Sequence, residues 1–271
     1  MKTIVITGAS DGIGAAAARR LVADGHQVVV VGRSPGKTAA VAAELDAPYR
    51  VADFSRLSEV RELASWLGEH YPHIDVLANN AGFICGAHRV ETPDGHEATF
   101  QVNYLAPFLL TALLRDQLID SRAVVVETSS MAHWGGRLDL DDLDHERSYS
   151  PMRAYSDSKL ALILHARELQ YRYGSQGLTA VTFHPGVIAS NFANGMGTLM
   201  SWAYSGPLAS IFPDPDAGAD SLVFLAESDP ADIPPGGYII RRKPSRTLPS
   251  AWDERLAHEL WAQTEQILGL V

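Results

Sequence analysis

Short runs of apolar, largely β-branched residues alternate along this chain with stretches of helical spacing. IVIT (4–7) ends at Gly8 and is followed by a helical pattern over 13–24, rich in alanine and carrying Leu21 and Val22. HQVVVVG (26–32) predicts a second strand, 36–45 a helix, and 49–52 a short third strand. Leu57, Val60, Leu63, Ala64 and Leu67 recur at helical spacing over 56–69. The pattern continues with IDVLANN (74–80), a long helix over 95–119, AVVVETSS (123–130), a second long helix over 153–173, and LTAVTFHPG (178–186). GGYII (236–240) is a seventh predicted strand, and a last helix is predicted near 252–268. Strands that are apolar throughout are buried on both faces, which requires helices on either side. Strand–helix alternation of this kind predicts an α/β fold: a doubly wound parallel sheet of the Rossmann type. No repeat of fixed period and no linker interrupts the chain, so one domain is expected over 1–271.

One stretch departs from this pattern. The 41 residues from Tyr173 to Pro213 contain no Asp, Glu, Lys or Arg. Pro185, Pro207 and Pro213 and several glycines interrupt it, so no apolar run is long enough to span a bilayer. Its first part reads as a buried strand and 187–215 as an apolar lid over a substrate site. The alternatives are a covered core loop and, less favoured, membrane-surface contact through Trp202, Tyr204 and Phe212.

Composition narrows the function classes. The chain has 271 residues, 22 Lys+Arg against 32 Asp+Glu, and a formal net charge of −10. That balance lacks the basic footprint of a nucleic-acid binder. A single cysteine, Cys85, forms no internal disulfide and fits a reducing compartment. MKTIVITGAS enters a strand at once without the features of a signal sequence, so a cytoplasmic setting is expected. The acidic run LDLDDLDHERSY (138–149) reads as a surface loop, and no metal is expected.

The turn after the first strand carries the first candidate chemistry. In TGASDGIG (7–14), Gly8 lets the strand turn, Gly12 lets a ligand approach the backbone, and Gly14 packs helix on strand. A dinucleotide pyrophosphate docks at such a helix N-terminus. Ser10 and Asp11 are candidates to cap the helix, and both, with Ile13, are candidate cofactor-binding residues. The second strand ends Val31-Gly32-Arg33-Ser34, with no acid to hold the ribose hydroxyls of NAD. Arg33, helped by Lys37, suits a 2′-phosphate, so NADP(H) is expected over NAD(H).

These residues resemble the short-chain dehydrogenase/reductase family through most of the chain, and its retinol-dehydrogenase-like branch in particular. TGASDGIG resembles its TGxxxGIG turn, and NNAG (79–82) its fourth-strand motif. YSDSK (155–159) resembles its YxxxK signature and HPGVIAS (184–190) its PGxxxT segment, with Ser190 for the usual threonine. The branch resemblance rests on ETPDGHEATFQVNYLAPFLLT and on GGYIIRRKPSR with the helix after it. The resemblance implies that Asp53, with Phe54 beside it, meets the adenine. Asn80, Ala81 and Gly82 pass the cofactor, and Pro185, Gly186, Val187 and Ser190 lie beside the nicotinamide. Tyr155 is implied as general acid/base, Lys159 as its partner and a ribose ligand, Ser130 as the group that orients the carbonyl, and Asn103 as holder of a relay water. Glu127 stands where asparagine is common.

The spacing of Tyr155 and Lys159 puts them on one face of a helix. A nearby ammonium lowers a tyrosine pKa toward the range useful for acid–base catalysis. The expected function is therefore NADP(H)-linked interconversion of an apolar ketone or aldehyde and its alcohol. Phe83, His133, Trp134, Val187, Phe192, Met196, Met200 and Trp202 are candidate pocket residues, each equally readable as core. An NAD-linked dehydrogenase and a non-catalytic NADP(H) sensor are the competing readings. The resemblance also implies a homo-dimer or tetramer on the two long helices, where Tyr104, Phe108, Leu109 and Ala161 face either a partner or the core.

Overall fold

Eight strands pair into one sheet in the order β3-β2-β1-β4-β5-β6-β7-β8. This is the arrangement in a computed structural model of the chain, which describes residues 1–186 and 215–271. The strands are β1 Thr3–Thr7, β2 Gln27–Gly32, β3 Tyr49–Val51, β4 Val76–Asn79, β5 Val124–Thr128, β6 Thr179–His184, β7 Tyr238–Ile240 and β8 Lys243–Pro244. All neighbours are parallel except β7 and β8. The eighth strand was not predicted. It is two residues long and follows a tight turn of Arg241 and Arg242, both with positive φ, where a sequence gives no glycine signal.

The helices are α1 Gly12–Ala23, α2 Pro35–Leu45, α3 Leu57–His70, then α4, α5 Arg115–Asp120, α6 Pro151–Tyr173, α7 Pro215–Glu227 and α8 Glu254–Ile267. α4 is a composite of Ala98–Phe100, a π-helical turn Gln101–Leu105 and Ala106–Leu113. The predicted single helix over 95–119 is thus corrected. Pro107 lacks the N–H that an α-helix would give to the Asn103 carbonyl, and the chain opens into a wider turn there. The helix ends at Leu114, and α5 follows as a separate turn.

Alternate strand residues serve two cores. Ile4, Ile6, Val28, Val30, Val124, Val126, Val181 and Phe183 pack with the alanines of α1 and with Leu222 and Leu225 of α7. Val5, Val29, Leu77 and Val125 face α3, α4, α6 and α8. β1 hands the chain to β2 on one side while β4 opens the other half, so the crevice at the carboxyl ends of β1 and β4 is the topological switch point.

α8 covers the second core. Trp261 packs on Phe108 at 4.7 Å, and the Tyr104 hydroxyl lies 2.9 Å from Thr264 Oγ1. Tyr104, Phe108, Leu109 and Ala161 are all buried within the chain, so none of the four faces a partner. Among the described residues, no helix is long and apolar enough to cross a membrane.

Candidate functional site

The candidate residues within the described segments gather at the carboxyl ends of the strands. At the β1 end, Gly8 and Gly12 have positive φ, a conformation that favours glycine. A Cβ on Gly8 would meet Ala81 Cα at 2.8 Å, and one on Gly14 would collide with the Gly8 carbonyl. A Cβ on Gly12 would meet nothing within 4 Å, so open space lies over the helix N-terminus. Asp11 is the cap, accepting from the Gly12 N–H at 2.8 Å, while Ser10 packs against Gly32. Ile13 is half-buried against the α1 core. The turn, its dipole and its free space fit a pyrophosphate.

The β2 end is more mixed. Arg33 is exposed, with no hydrogen bond or ion pair to the described residues. Lys37 instead reaches back to Asp11, Nζ to Oδ2 at 2.8 Å. Asp53 uses one carboxylate oxygen to accept the Ser55 N–H at 3.0 Å, and its own N–H is held by Glu59. The Phe54 side chain belongs to the core, and its carbonyl accepts from Gln101. Its expected contact with a cofactor is therefore not one its ring can make.

At the β4 end, Thr7 was a missed residue. Its hydroxyl accepts from the Asn80 and Ala81 N–H groups, each at 3.0 Å. The Asn80 amide donates to the Thr7 carbonyl at 3.0 Å. These bonds latch NNAG to the glycine turn. Beyond it, Asn103 holds the Phe83 backbone at both ends: Oδ1 accepts its N–H and Nδ2 donates to its carbonyl, each at 2.9 Å. Asn103 Nδ2 also donates to Ser158 Oγ at 3.1 Å. A Cβ on Gly82 would lie 3.2 Å from Asn103 Oδ1 and 3.3 Å from Lys159 Nζ, so those two side chains meet under a glycine.

α6 brings Tyr155 and Lys159 together, with Nζ 5.6 Å from the Tyr155 ring centroid. Lys159 is buried and donates to the Thr128 carbonyl at 2.8 Å. Burial pushes its ammonium down to about 8, with the Glu127 charge pulling the other way. Ser130 lies two residues beyond β5, and its Oγ accepts the Ala132 N–H at 3.1 Å. That leaves its O–H proton available to a ligand.

His133 is corrected as a pocket residue. It is fully buried, its Nδ1 lies 2.7 Å from the Ser130 carbonyl, and its Nε2 accepts the Leu248 N–H at 3.2 Å. Both nitrogens are spent tying the Ser130 turn to the C-terminal segment, and burial lowers its pKa. Trp134 is exposed and Phe83 half-buried. Pro185 and Gly186 follow β6 at the same end. Val187, Ser190, Phe192, Met196, Met200 and Trp202, and with them most of the expected lid, lie outside the described residues.

The acidic loop is a clamp. Asp144 accepts the Glu97 N–H at 2.9 Å and lies 3.0 Å from His96 Nδ1. Asp139 and Asp142 accept backbone N–H groups of their own loop. Among the described residues, no group of three His, Cys, Asp or Glu is placed to hold a metal. Sequence reasoning also missed a buried pair behind Lys159. Glu127 is fully buried, and its Oε1 lies 2.9 Å from Asn79 Nδ2 and 3.1 Å from His165 Nδ1. The signals in the sequence were a carboxylate inside an apolar strand and its place where asparagine is common; neither names His165 as its partner.

A family described as short chain dehydrogenase matches residues 2–198. A Streptomyces sp. protein proposed to be a daunorubicin C-13 ketoreductase is 39% identical, over 99% of this chain and 93% of its own length. Human retinol dehydrogenase 13 is 34% identical, over 99% of this chain and 85% of its own length. Among solved structures, an uncharacterised protein from Mycobacterium paratuberculosis superposes with a TM-score of 0.81 at 35% identity, covering 99% of this chain and 94% of that one. The NADP complex of Pseudomonas aeruginosa RhlG superposes with a TM-score of 0.71 at 25% identity, covering 88% and 93%.

Proposed function

This chain belongs to the short-chain dehydrogenase/reductase family, in its retinol-dehydrogenase-like branch, and from that premise we propose an NADP(H)-dependent reductase of apolar ketones or aldehydes. That it is an oxidoreductase acting on CH–OH or carbonyl groups follows from the family. The NADP(H) preference and the apolar substrate class belong to the proposal. The observation that carries it is Arg33: an exposed guanidinium at the β2 tip, unengaged by the described residues, where an NAD site keeps an acid. A guanidinium forks around phosphate oxygens, so it fits a 2′-phosphate.

The glycine turn and helix α1 would hold the pyrophosphate, Asp53 the adenine end, and Asn80 to Gly82 the middle of the dinucleotide. When bound, the cofactor supplies the hydride. Ser130 donates its free O–H to the carbonyl oxygen and orients it. Tyr155 gives that oxygen its proton. Lys159 lowers the Tyr155 pKa by charge and donates to the ribose. Asn103 would hold a water that links Lys159 to solvent, and Pro107 leaves its carbonyl without the usual helical donor. The chargeless run 173–213 and the half-buried Phe83 support an apolar substrate. The reading takes 1–271 as one catalytic unit in a reducing, cytoplasmic setting.

The test is oxidation of NADPH and of NADH, followed by absorbance, across carbonyls from small keto acids to long aldehydes and polycyclic ketones. Turnover favouring NADPH and apolar carbonyls is expected. Preference for NADH, or for charged keto acids alone, would overturn the respective half of the proposal. Tight cofactor binding with no turnover would favour a sensor.

A further inference from the structure

The segment between β8 and α8 ties together the two elements that carry Ser130 and Tyr155. Arg167 of α6 donates to the Gly236 carbonyl at 3.3 Å, to Thr247 Oγ1 at 3.3 Å and to the Ala251 carbonyl. Its guanidinium also lies 3.5 Å over the Trp252 ring. Residues 247–252 are thereby strapped to the helix of Tyr155 and Lys159. On its other side the strap reaches the turn after Ser130, where the Leu248 N–H meets His133 Nε2 at 3.2 Å. That turn, Met131–Gly135, is pressed on α6: a Cβ on the next residue, Gly136, would lie 2.9 Å from Leu160 Cβ.

The two partners of His133 decide where its proton sits. A backbone N–H only donates, so Nε2 turns a bare lone pair to Leu248. A carbonyl only accepts, so Nδ1, 2.7 Å from the Ser130 carbonyl, carries the hydrogen. An imidazolium would set its Nε2–H against the Leu248 N–H. Burial favours the neutral ring by pushing its pKa down, against the pull of the Ser130 carbonyl and with help from the Arg167 charge. The Ser130 carbonyl also accepts the His133 N–H at 3.1 Å. With both lone pairs taken, that carbonyl is held, and Ser130 stays extended with its Oγ accepting the Ala132 N–H.

We propose that His133 is a positioning residue for Ser130 and that the strap sets it: the Leu248 N–H fixes the tautomer, and the Nδ1–H so placed pins the Ser130 carbonyl. The proposal rests on the functional reading above for the part Ser130 plays. Two amide variants separate the two arms of the ring. In His133→Asn the amide falls where Nδ1 stands and still donates to the Ser130 carbonyl, while nothing reaches Leu248. In His133→Gln the amide oxygen falls where Nε2 stands and still accepts from Leu248, while the Ser130 carbonyl loses its side-chain donor.

The first measurement is a two-bond ¹H–¹⁵N spectrum of the cofactor-free chain with ¹⁵N-labelled histidine at neutral pH. The chain has ten histidines, and loss of a signal in His133→Asn assigns the one that matters. A neutral ring protonated at Nδ1 is expected, and a proton on Nε2 would overturn the proposal. The second is the ¹³C shift of the Ser130 carbonyl, read through the Met131 N–H. It should move in His133→Gln and stay close to the wild type in His133→Asn. The third is kcat for carbonyl reduction, per folded molecule. His133→Gln should lose about 10- to 100-fold with KM for the cofactor unchanged, while His133→Asn should keep most of the wild-type rate. Each variant gives up one buried hydrogen bond, so a merely structural role predicts equal losses, and equal losses would overturn the proposal. In a Ser130→Ala background, His133→Gln should cost nothing further, because the group it positions is gone; additive losses would count equally against it. A wild type without turnover would end the oxidoreductase reading instead, and the tautomer and the Ser130 carbonyl shift would still decide whether His133 holds Ser130.

Discussion

The two faces of the sheet use the same strands and differ in kind. Against α1 and α7, alternate residues of the strands present Ile, Val and Phe to alanine and leucine, and the packing is chiefly apolar. Against α4 and α6, the next residues along include Asn79 and Glu127, and the helices return Asn103, Thr111, Lys159 and His165. All six are buried, and each is hydrogen-bonded. Buried polar groups cost free energy unless paired, so their concentration on one face marks where rigidity serves chemistry. The apolar face supplies stability, and the polar face sets position and charge.

The largest expected effect lies on the polar face. Tyr155→Phe removes the hydroxyl that moves the proton, and kcat for carbonyl reduction should fall by about 100- to 10,000-fold. Melting temperature should stay within a few degrees of the wild type, because the half-buried ring remains. A wild-type rate in this variant would assign the proton to another group. The opposite pattern is expected across the sheet. Leu21 of α1 is fully buried, and Leu21→Ala should cost about 2–5 kcal/mol in denaturant unfolding. Its kcat, per folded molecule, should be unchanged. A fall in kcat here would show the two faces to be coupled and break the division.

An intermediate effect comes from the clamp at the edge of the polar face. His96 is held above its ordinary value by the Asp144 hydrogen bond. Asp144, which burial alone would raise, is held below its own by bonds from His96 and the Glu97 N–H. The His96 contribution is complete below the unfolded pKa of about 6.5 and fades as pH rises through the folded value. The Asp144 contribution is complete above about 3.8 and fades as pH falls through its folded value. Asp144→Asn should therefore cost about 1.5–3 kcal/mol near pH 5 to 6 and less at pH 9. Chemical denaturation at the two pH values checks it. A cost that does not depend on pH would assign the clamp to the Glu97 N–H alone.

Much of this division is legible in the sequence, and the reason is periodicity. Residues 4–6 and 124–126 are apolar at every position, so burial on both faces and a parallel sheet follow. The Tyr155–Lys159 spacing gives a shared helix face because four residues make about one turn. What was not legible depends on contacts far apart in the chain. His133 reads as a pocket residue until Leu248, 115 residues away, takes its second nitrogen. Glu127 and His165 are 38 residues apart, and only the packing of α6 on β5 makes them a pair. The π turn hides behind a strong helical pattern, since Pro107 is equally compatible with the first turn of a helix.

The smallest effect tests the turn where both faces give way to solvent. Lys37 and Asp11 are 2.8 Å apart, with side chains 59% and 52% exposed. Exposed pairs of this kind contribute about 0.2–1 kcal/mol, so Lys37→Ala should barely move the unfolding free energy. Its consequence is expected in cofactor choice. If a 2′-phosphate draws Lys37 away from Asp11, NADPH should bind the variant a few-fold more weakly and NADH with unchanged affinity. Asp11→Asn should act in the opposite sense, since it frees Lys37 without removing it. Both differences should shrink in high salt, because the charges involved are screened. Equal weakening toward NADPH and NADH would instead place Lys37 at the pyrophosphate, leaving Arg33 as the one cation that reads the 2′-position.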